Sequence, residues 1–338
     1  MKLLSSHSLP ATMHALATVA GGVELVKRPV PTPRRGQVLV HMRAAPINPN
    51  DLMFLDDSYE VKKPLGSIAG FEGTGTVVAS GGGPFARFML GREVACAAGD
   101  GDGTWAEYAV IDAMRAAPLA KSTDPQQAAM LLTNPLTASV LLQTARRAGH
   151  RAFVQNAAAG ALGKMLVRLC LRAGLPLVNI VRRPEQAAAL RAIGAEHVVV
   201  TSEPGADAAL RALCDQLGVR FGFDAIAGEA TGQLARAIGN DGRILVYGML
   251  SGKPCQIDVE PLVFRSLRID GFTMYVWVER TSLFGQLRTL NAAQRRLGDD
   301  LRSEIRATKL LAEHGEALAL TRGATSEGKV LFTPRTPA

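Results

Sequence analysis

The chain has 338 residues, 47% of them hydrophobic and 20% charged, with a formal net charge of +8. That length exceeds one ordinary core and predicts two domains, while the absence of any uncharged apolar run of about 18 residues excludes a membrane span. Cys96, Cys170, Cys214 and Cys255 are scattered without a C-x-x-C pair, which argues against a disulfide frame or a cysteine zinc site and fits a reducing cytoplasm.

The N-terminal stretch Met1 to Gly22 is mildly apolar, but His7, Pro10 and His14 interrupt it, so Met13–Ala20 reads as a first strand rather than a cleaved signal peptide. Residues 13–120 predict an all-β domain. Short β-rich segments recur at Ala15–Val19, Val23–Val26, Val38–Ala44, Thr74–Val78, Val94–Ala97 and Trp105–Val110. Proline and glycine clusters such as Pro29-Val30-Pro31-Thr32-Pro33 and Gly81-Gly82-Gly83-Pro84 separate them, a spacing that suggests a compact barrel-like fold. Asp124-Pro125 reads as a helix cap, with helical segments at Ala128–Leu132 and Ala138–Ala148.

From residue 151 strands and helices alternate. Strands are predicted at Ala152–Gln155, Leu177–Val181, His197–Thr201, Phe221–Ala225, Arg243–Tyr247 and Leu267–Phe272. Helices are predicted at Gly160–Ala173, Pro184–Ile193, Ala206–Leu217 and Glu229–Ile238. Strands this apolar suit a parallel sheet buried on both faces. The tail reads as helical at Ser282–Leu297 and Leu310–Ala319, closing on a strand at Lys329–Thr333.

The first strand of this run leads into Asn156-Ala157-Ala158-Ala159-Gly160-Ala161-Leu162-Gly163-Lys164. Gly160 and Gly163 keep the spacing of the last two glycines of a dinucleotide-binding turn, and Ala157 stands where the first would be. Small residues let the backbone approach a pyrophosphate, and the N–H groups at the helix start face the anion. A ribose-binding acid is expected about 20 residues further on. Val181-Arg182-Arg183-Pro184 stands there instead. Guanidinium groups pair with a 2′-phosphate and cannot accept from a ribose hydroxyl, so the pair predicts NADPH rather than NADH. Lys164 at the helix start would add to the phosphate field. The bland reading is a solvated loop carrying two arginines. The positive net charge likewise reads either as a preference for an anionic partner or as a basic solvated surface. With no basic run interleaved with aromatics, nucleic-acid binding is not expected.

Four separated motifs then carry a family resemblance: Ile47-Asn48-Pro49-Asn50-Asp51-Leu52, Gly70-Phe71-Glu72-Gly73-Thr74-Gly75, Gly103-Thr104-Trp105-Ala106-Glu107-Tyr108 and Asn134-Pro135-Leu136-Thr137-Ala138. In this order they resemble the medium-chain dehydrogenase/reductase superfamily, and within it the zinc-free quinone oxidoreductases and NADPH-dependent 2-enoyl-thioester reductases. The resemblance implies an α/β fold, a Rossmann-type doubly wound parallel sheet plus a GroES-like β-barrel. The catalytic β domain would span residues 1–125, completed by about 275–338, with the NADPH-binding domain at 126–274.

Where the zinc alcohol dehydrogenase branch carries a ligand Cys this chain has Asn48, and where it carries a His it has Phe71. No metal is therefore expected. The resemblance makes Tyr59 and Asn48 the catalytic candidates, since a phenol can donate to a developing enolate or quinol oxygen. The family's Gly-x-Tyr-Pro setting is altered here to Asp57-Ser58-Tyr59-Glu60 beside Asp56. Asn48 reads equally as a turn residue before Pro49, Asp51 as a helix cap, and Glu72 as a structural acid held by neighbouring backbone in a glycine-rich turn. The resemblance also implies that Asn134, Thr137, Ala159, Gly160, Ala161, Leu162, Gly163, Arg182, Arg183, Tyr247, Gly248, Met249, Phe272, Met274 and Lys329 approach the cofactor. Tyr59 and Trp277 would line the substrate pocket, Trp277 reading equally as a core or interface residue, and a homodimer would form through the last strand, Leu267–Val278.

Three functions stay open. The first is NADPH-dependent, zinc-independent reduction of a quinone, an enone or a 2-enoyl thioester by hydride transfer. The second is an NADPH-binding protein with little turnover, a sensor or crystallin-like recruit. The third is a zinc alcohol dehydrogenase.

Overall fold

Along the first third of the chain the strand Gly22–Pro29 is largely open, whereas Gln37–Pro46 and Glu72–Ser80 are buried along nearly their whole length. The computed structural model describes residues 2–3, 9–323 and 327–334. Strands β1 (Lys2–Leu3), β2 (Thr12–Val19), β3 (Gly22–Pro29), β4 (Gln37–Pro46), β5 (Glu72–Ser80), β6 (Glu93–Ala97), β7 (Tyr108–Asp112) and β8 (Ala116–Pro118) alternate with helices α1 (Pro49–Leu55) and α2 (Pro84–Phe88). His7 lies outside the described residues, and His14 falls within β2. Helices α3 (Pro125–Ala128) and α4 (Asn134–Arg147) follow. The side chain of Asp124 caps α3, accepting from the Gln126 N–H at 2.9 Å. The expected helix at Ala128–Leu132 stops at its first residue.

The alternation then runs β9 (Phe153–Gln155), α5 (Ala161–Ala173), β10 (Leu177–Val181), α6 (Pro184–Ala192), β11 (His197–Val200), α7 (Ala206–Leu217), β12 (Phe221–Asp224), α8 (Glu229–Ala237), β13 (Arg243–Val246), α9 (Val259–Phe264), β14 (Arg268–Gly271), α10 (Met274–Arg280) and α11 (Leu283–Gln294). Strand β15 (Ile305–Lys309), helix α12 (His314–Gly323) and strand β16 (Lys329–Phe332) close the chain.

Two units result, one holding the chain up to Asn134 and from Gln294 onward, the other Pro135–Ala293. Residues 275–293, expected with the β domain, lie in the second unit. The last strand of that unit also ends earlier than expected, at Gly271. Thr273 then accepts from the Val276 N–H at 3.2 Å and caps α10, so the β-branched run after it winds into helix.

In the first unit a mainly antiparallel sheet runs β15-β16-β4-β5-β6-β8, with β1 on β5 and β7 on β4. The β2–β3 hairpin pairs separately. Trp105 is fully buried in its core, edge-on to Phe332 at 5.0 Å, and its indole N–H donates to the Pro46 carbonyl at 3.1 Å. In the second unit six parallel strands run β11-β10-β9-β12-β13-β14. This is the doubly wound order, and it reverses direction between β9 and β12, where such sheets bind ligands at their carboxyl ends. Every residue of β9, β10 and β12 is buried, as a sheet covered on both faces requires.

Candidate active site

In the first unit the site begins where β4 turns into α1. Pro49 takes the first helical position, and Asp51 Oδ2 accepts from the Asn48 backbone N–H at 2.7 Å. The Asn48 side chain is thus released from capping and turns inward. Its Nδ2 donates to Glu72 Oε1 at 2.8 Å, and Lys329 Nζ donates to its Oδ1. Glu72 Oε2 accepts from the Thr133 N–H at 2.9 Å, and Asp51 Oδ1 from the Phe71 N–H at 3.1 Å. Asn48, Asp51, Glu72 and Lys329 are all buried. Burial pushes Asp51 up to about 7, with the Glu72 carboxylate adding to it against Lys329 and two backbone N–H groups. Burial raises Glu72 as well, opposed by Thr133, Asn48 and Lys329. Burial lowers Lys329, opposed by both carboxylates. Two acids thus share one cation, and the cluster can hold a proton near neutral pH.

Tyr59 lies just beyond the end of α1. Its ring meets Phe71 edge-on at 5.6 Å, and Phe71 in turn meets Phe54 at 5.4 Å. Burial raises the Tyr59 phenol and the Asp51 carboxylate adds to that, while a hydrogen bond with the Asn50 side chain opposes it. A phenol kept protonated in this way is a hydrogen-bond donor at working pH. The acids expected to wet this loop are tied off: Asp56 takes both arms of Arg322 at 2.7 and 2.8 Å, and Asp57 pairs with Lys62 at 2.5 Å. Arg322 holds the Asp56 carboxyl below its ordinary range. Lys63 Nζ stands 5.5 Å from the centre of the Phe71 ring.

In the second unit the chain leaves β9 into a turn with Ala157 at φ 49°, a left-handed conformation that costs an alanine and suits a site where backbone geometry is fixed by function. A Cβ on Gly163 would lie 2.4 Å from the Ala158 carbonyl oxygen, so the turn and α5 pack too closely for any side chain there. The first-turn N–H groups of Ala161, Leu162 and Gly163 have no partner inside the helix. Asp224, at the end of β12, is the hub behind the turn. It accepts from Asn156 Nδ2 at 2.6 Å, the Ile226 and Ala227 N–H groups at 2.9 and 3.0 Å, and the Thr231 hydroxyl at 2.6 Å. Its backbone carbonyl accepts from the Tyr247 N–H at 2.8 Å, holding the segment Tyr247, Gly248, Met249 against the ends of β12 and β13. A Cβ on Gly248 would lie 2.6 Å from the Ala225 carbonyl oxygen.

Arg182 and Arg183 are exposed at the carboxyl end of β10, with their backbone N–H groups on Gln186 Oε1 at 3.1 and 3.3 Å. The Phe272 N–H bonds to the Val246 carbonyl at 2.8 Å beyond the end of β14, and Met274 opens α10. The parallel topology therefore brings Ala159–Gly163, Arg182, Arg183, Tyr247–Met249 and Phe272 to one edge of the sheet.

Other expected residues fall differently. Lys329 sits in the first unit on Asn48, with Asn48 and Tyr59 around α1. Asn134 opens α4 and Thr137 is buried within it. Trp277 lies on α10, partly exposed. Lys164 is buried on α5 rather than standing out at the turn. Glu72 is held by backbone as expected, but by the distant Thr133 N–H rather than a neighbour in the glycine-rich turn, and by the Asn48 side chain. Asp51 caps α1 as the sequence suggested, but its place in the buried cluster with Glu72 and Lys329 was not read locally. Asp224 was missed altogether, although an acid ending an apolar strand is a signal. Among the described residues no three His, Cys, Asp or Glu side chains are grouped to hold a metal ion.

Known proteins share both units. The alcohol dehydrogenase GroES-like domain family matches residues 34–121, and the zinc-binding dehydrogenase family matches residues 161–288. A mitochondrial enoyl-[acyl-carrier-protein] reductase of Caenorhabditis elegans is 30% identical over 254 residues, covering 73% of this chain and 71% of the relative. The human enzyme of that name is 28% identical over 283 residues, 81% of this chain and 75% of the relative. The crystal structure of a Mesorhizobium loti protein assigned as an NADPH:quinone reductase matches at a TM-score of 0.89 with 31% identity, covering 97% of this chain and 100% of that one. The chain belongs to the medium-chain dehydrogenase/reductase superfamily, in the branch of the quinone and enoyl-thioester reductases. It is an oxidoreductase built on a GroES-like domain and a Rossmann-type sheet.

Proposed function

We propose that this chain uses NADPH to reduce an electron-poor double bond, in a quinone, an enone or a 2-enoyl thioester, without catalytic zinc. The observation that carries the reading is the exposed pair Arg182 and Arg183 at the end of β10, where a ribose-binding acid would favour NADH. The turn fits a dinucleotide: Gly163 and Gly248 leave backbone where any side chain would clash. Bound NADPH supplies the hydride. The first turn of α5 would hold the pyrophosphate, and Arg182 and Arg183 the 2′-phosphate. Tyr59 donates a hydrogen bond to the oxygen that gains charge on the substrate. Asn48 positions Glu72 and Lys329 rather than the substrate, since both polar atoms of its amide are already bonded to them.

Zinc independence rests on the donor set. An amide and a phenyl ring stand at the ligand positions, and the Lys329 ammonium is bonded to that amide, where a second cation would be repelled. Homodimer formation is supported by the open edge of β14 and by the exposed apolar residues around it. Val263 is 62% exposed, Phe264 79%, Tyr275 67% and Phe284 77%, a load that a lone copy would leave in water. The described cysteines are free thiols, which supports a reducing cytoplasm.

The test is a titration with NADPH and NADH, followed by absorbance decay with 1,2-naphthoquinone and with a medium-chain 2-enoyl-CoA. NADPH is expected to bind at least tenfold tighter, about 1.4 kcal/mol, and R182Q/R183Q to erase that preference. Tyr59→Phe is expected to lower kcat/KM about tenfold while leaving the NADPH Kd unchanged. Equal affinity for both cofactors sinks the cofactor reading. Tight NADPH binding with no oxidation by any acceptor moves the reading to a binding protein with little turnover, which the altered setting of Tyr59 would explain.

A further inference from the structure

A concavity of about 300 Å³ opens in the second unit between the ends of α7 and α8 and the loops entering β12 and β13. It lies at the amino edge of the sheet, the opposite end of the strands from the nucleotide turn. Arg211, Arg220, Arg236 and Arg265 line it, and Asp215 is the one acid in the lining.

These arginines are unequally satisfied. Arg236 pairs with Asp258 at 3.1 Å and has Asp207 at 4.0 Å. Arg265 closes the end of α8, donating to the carbonyls of Ala235 at 2.9 Å and Ile238 at 3.0 Å. Its side chain is only 14% exposed, yet its carboxylate partner, Glu260, stands 3.5 Å away and is 61% exposed. The Arg265 Nε is buried with no hydrogen-bond partner among the described residues. The α8 carbonyls satisfy part of this guanidinium but carry no formal charge, and the one carboxylate beside it is largely in water, where its attraction is weakened. Arg211 and Arg220 are exposed at the mouth. The positive field continues along this edge: His150, its ring 4.9 Å from Phe221, is held below its ordinary range by burial and then by Arg243 and Arg220.

We infer that this concavity is a second anion site, taking a phosphate-class oxyanion between Arg211, Arg220 and Arg236 and over the buried Arg265. Planar guanidinium forks suit tetrahedral oxyanions, and the volume admits a phosphate or a pyrophosphate. The group is either a free inorganic anion or the phosphate ester of a larger molecule.

Calorimetry on the 338-residue chain separates these, with inorganic pyrophosphate and glycerol 2-phosphate as probes, at fixed ionic strength and with NADPH present to cover the turn. Wild type, R211Q/R220Q and R182Q/R183Q are compared, with thermal melts to confirm folding. At least one probe is expected to bind wild type saturably, at least tenfold more weakly in R211Q/R220Q, and within twofold of wild type in R182Q/R183Q. Preference for pyrophosphate points to a free anion, and preference for the monoester to an esterified one. Three results overturn the proposal: no saturable binding of either probe, binding undiminished in R211Q/R220Q, or binding that falls in R182Q/R183Q and so belongs to the turn.

Discussion

Around Asn48 the first unit buries two carboxylates and an ammonium, whereas around Asn156 the second buries one carboxylate wrapped in four donors. Asp224 is an anchor with three donors on Oδ1 and one on Oδ2, and it holds the loops beside the glycine turn. Asp51 has two backbone N–H donors and looks onto a second acid, so its proton is loosely decided. A buried acid saturated with donors serves as scaffold, while one left short of them keeps chemistry available.

The sharpest way to break this comparison is Lys329→Met. It leaves Glu72 and Asp51 without their cation, and urea unfolding is expected to show a loss of about 3–5 kcal/mol. An unchanged midpoint would mean that the ammonium contributes nothing to the cluster. Next comes the pH dependence of stability. The folded Asp51 value of about 7 lies above the ordinary 3.8, so between these values the folded state keeps a proton that the unfolded state releases. Its stabilising effect is full below about pH 4 and is lost as pH rises to 7, on the order of 2–4 kcal/mol, with Glu72 acting in the same direction. Asp51→Asn should flatten that slope, and an identical slope in the variant would remove Asp51 from the account. The smallest effect belongs to the second unit. Asn156→Ala strips one donor from Asp224 and the acceptor of the Ala225 N–H, with an expected cost of about 1–3 kcal/mol by thermal or urea unfolding.

The second unit was the more legible from sequence. Its strands are unbroken apolar runs, and Pro184, Gly174 and Gly194 mark helix starts and stops, so the order of elements from β9 to β14 could be read directly. Local patterns misled where tertiary context decides. The run Tyr275-Val276-Trp277-Val278 has strand composition, yet the Thr273 cap turns it into helix. Strand β15, Ile305-Arg306-Ala307-Thr308-Lys309, holds one large apolar residue and is only half-buried, so nothing in its hydrophobicity announced it. Helices α2 and α9 are too short to show a period. In the site, Asn48 and Tyr59 could be named from motif resemblance. The Lys329 contact could not, because 281 positions separate it from Asn48.

One detail of the parallel sheet bears on how the chain finds its alignment. Strands buried on both faces look alike from either side, so apolar packing alone distinguishes poorly between pairings offset along their length. Gln155 on β9 donates to Asn179 on β10 at 2.7 Å and to the Gly163 carbonyl at 3.0 Å, and Asn179 donates to the carbonyls of Leu177 and His197 at 2.9 and 3.1 Å. Sliding β10 past β9 would strand both amides in hydrocarbon. This pair is a ratchet tooth: it admits one alignment of three adjacent strands and, through Gly163, ties that choice to the glycine turn after β9.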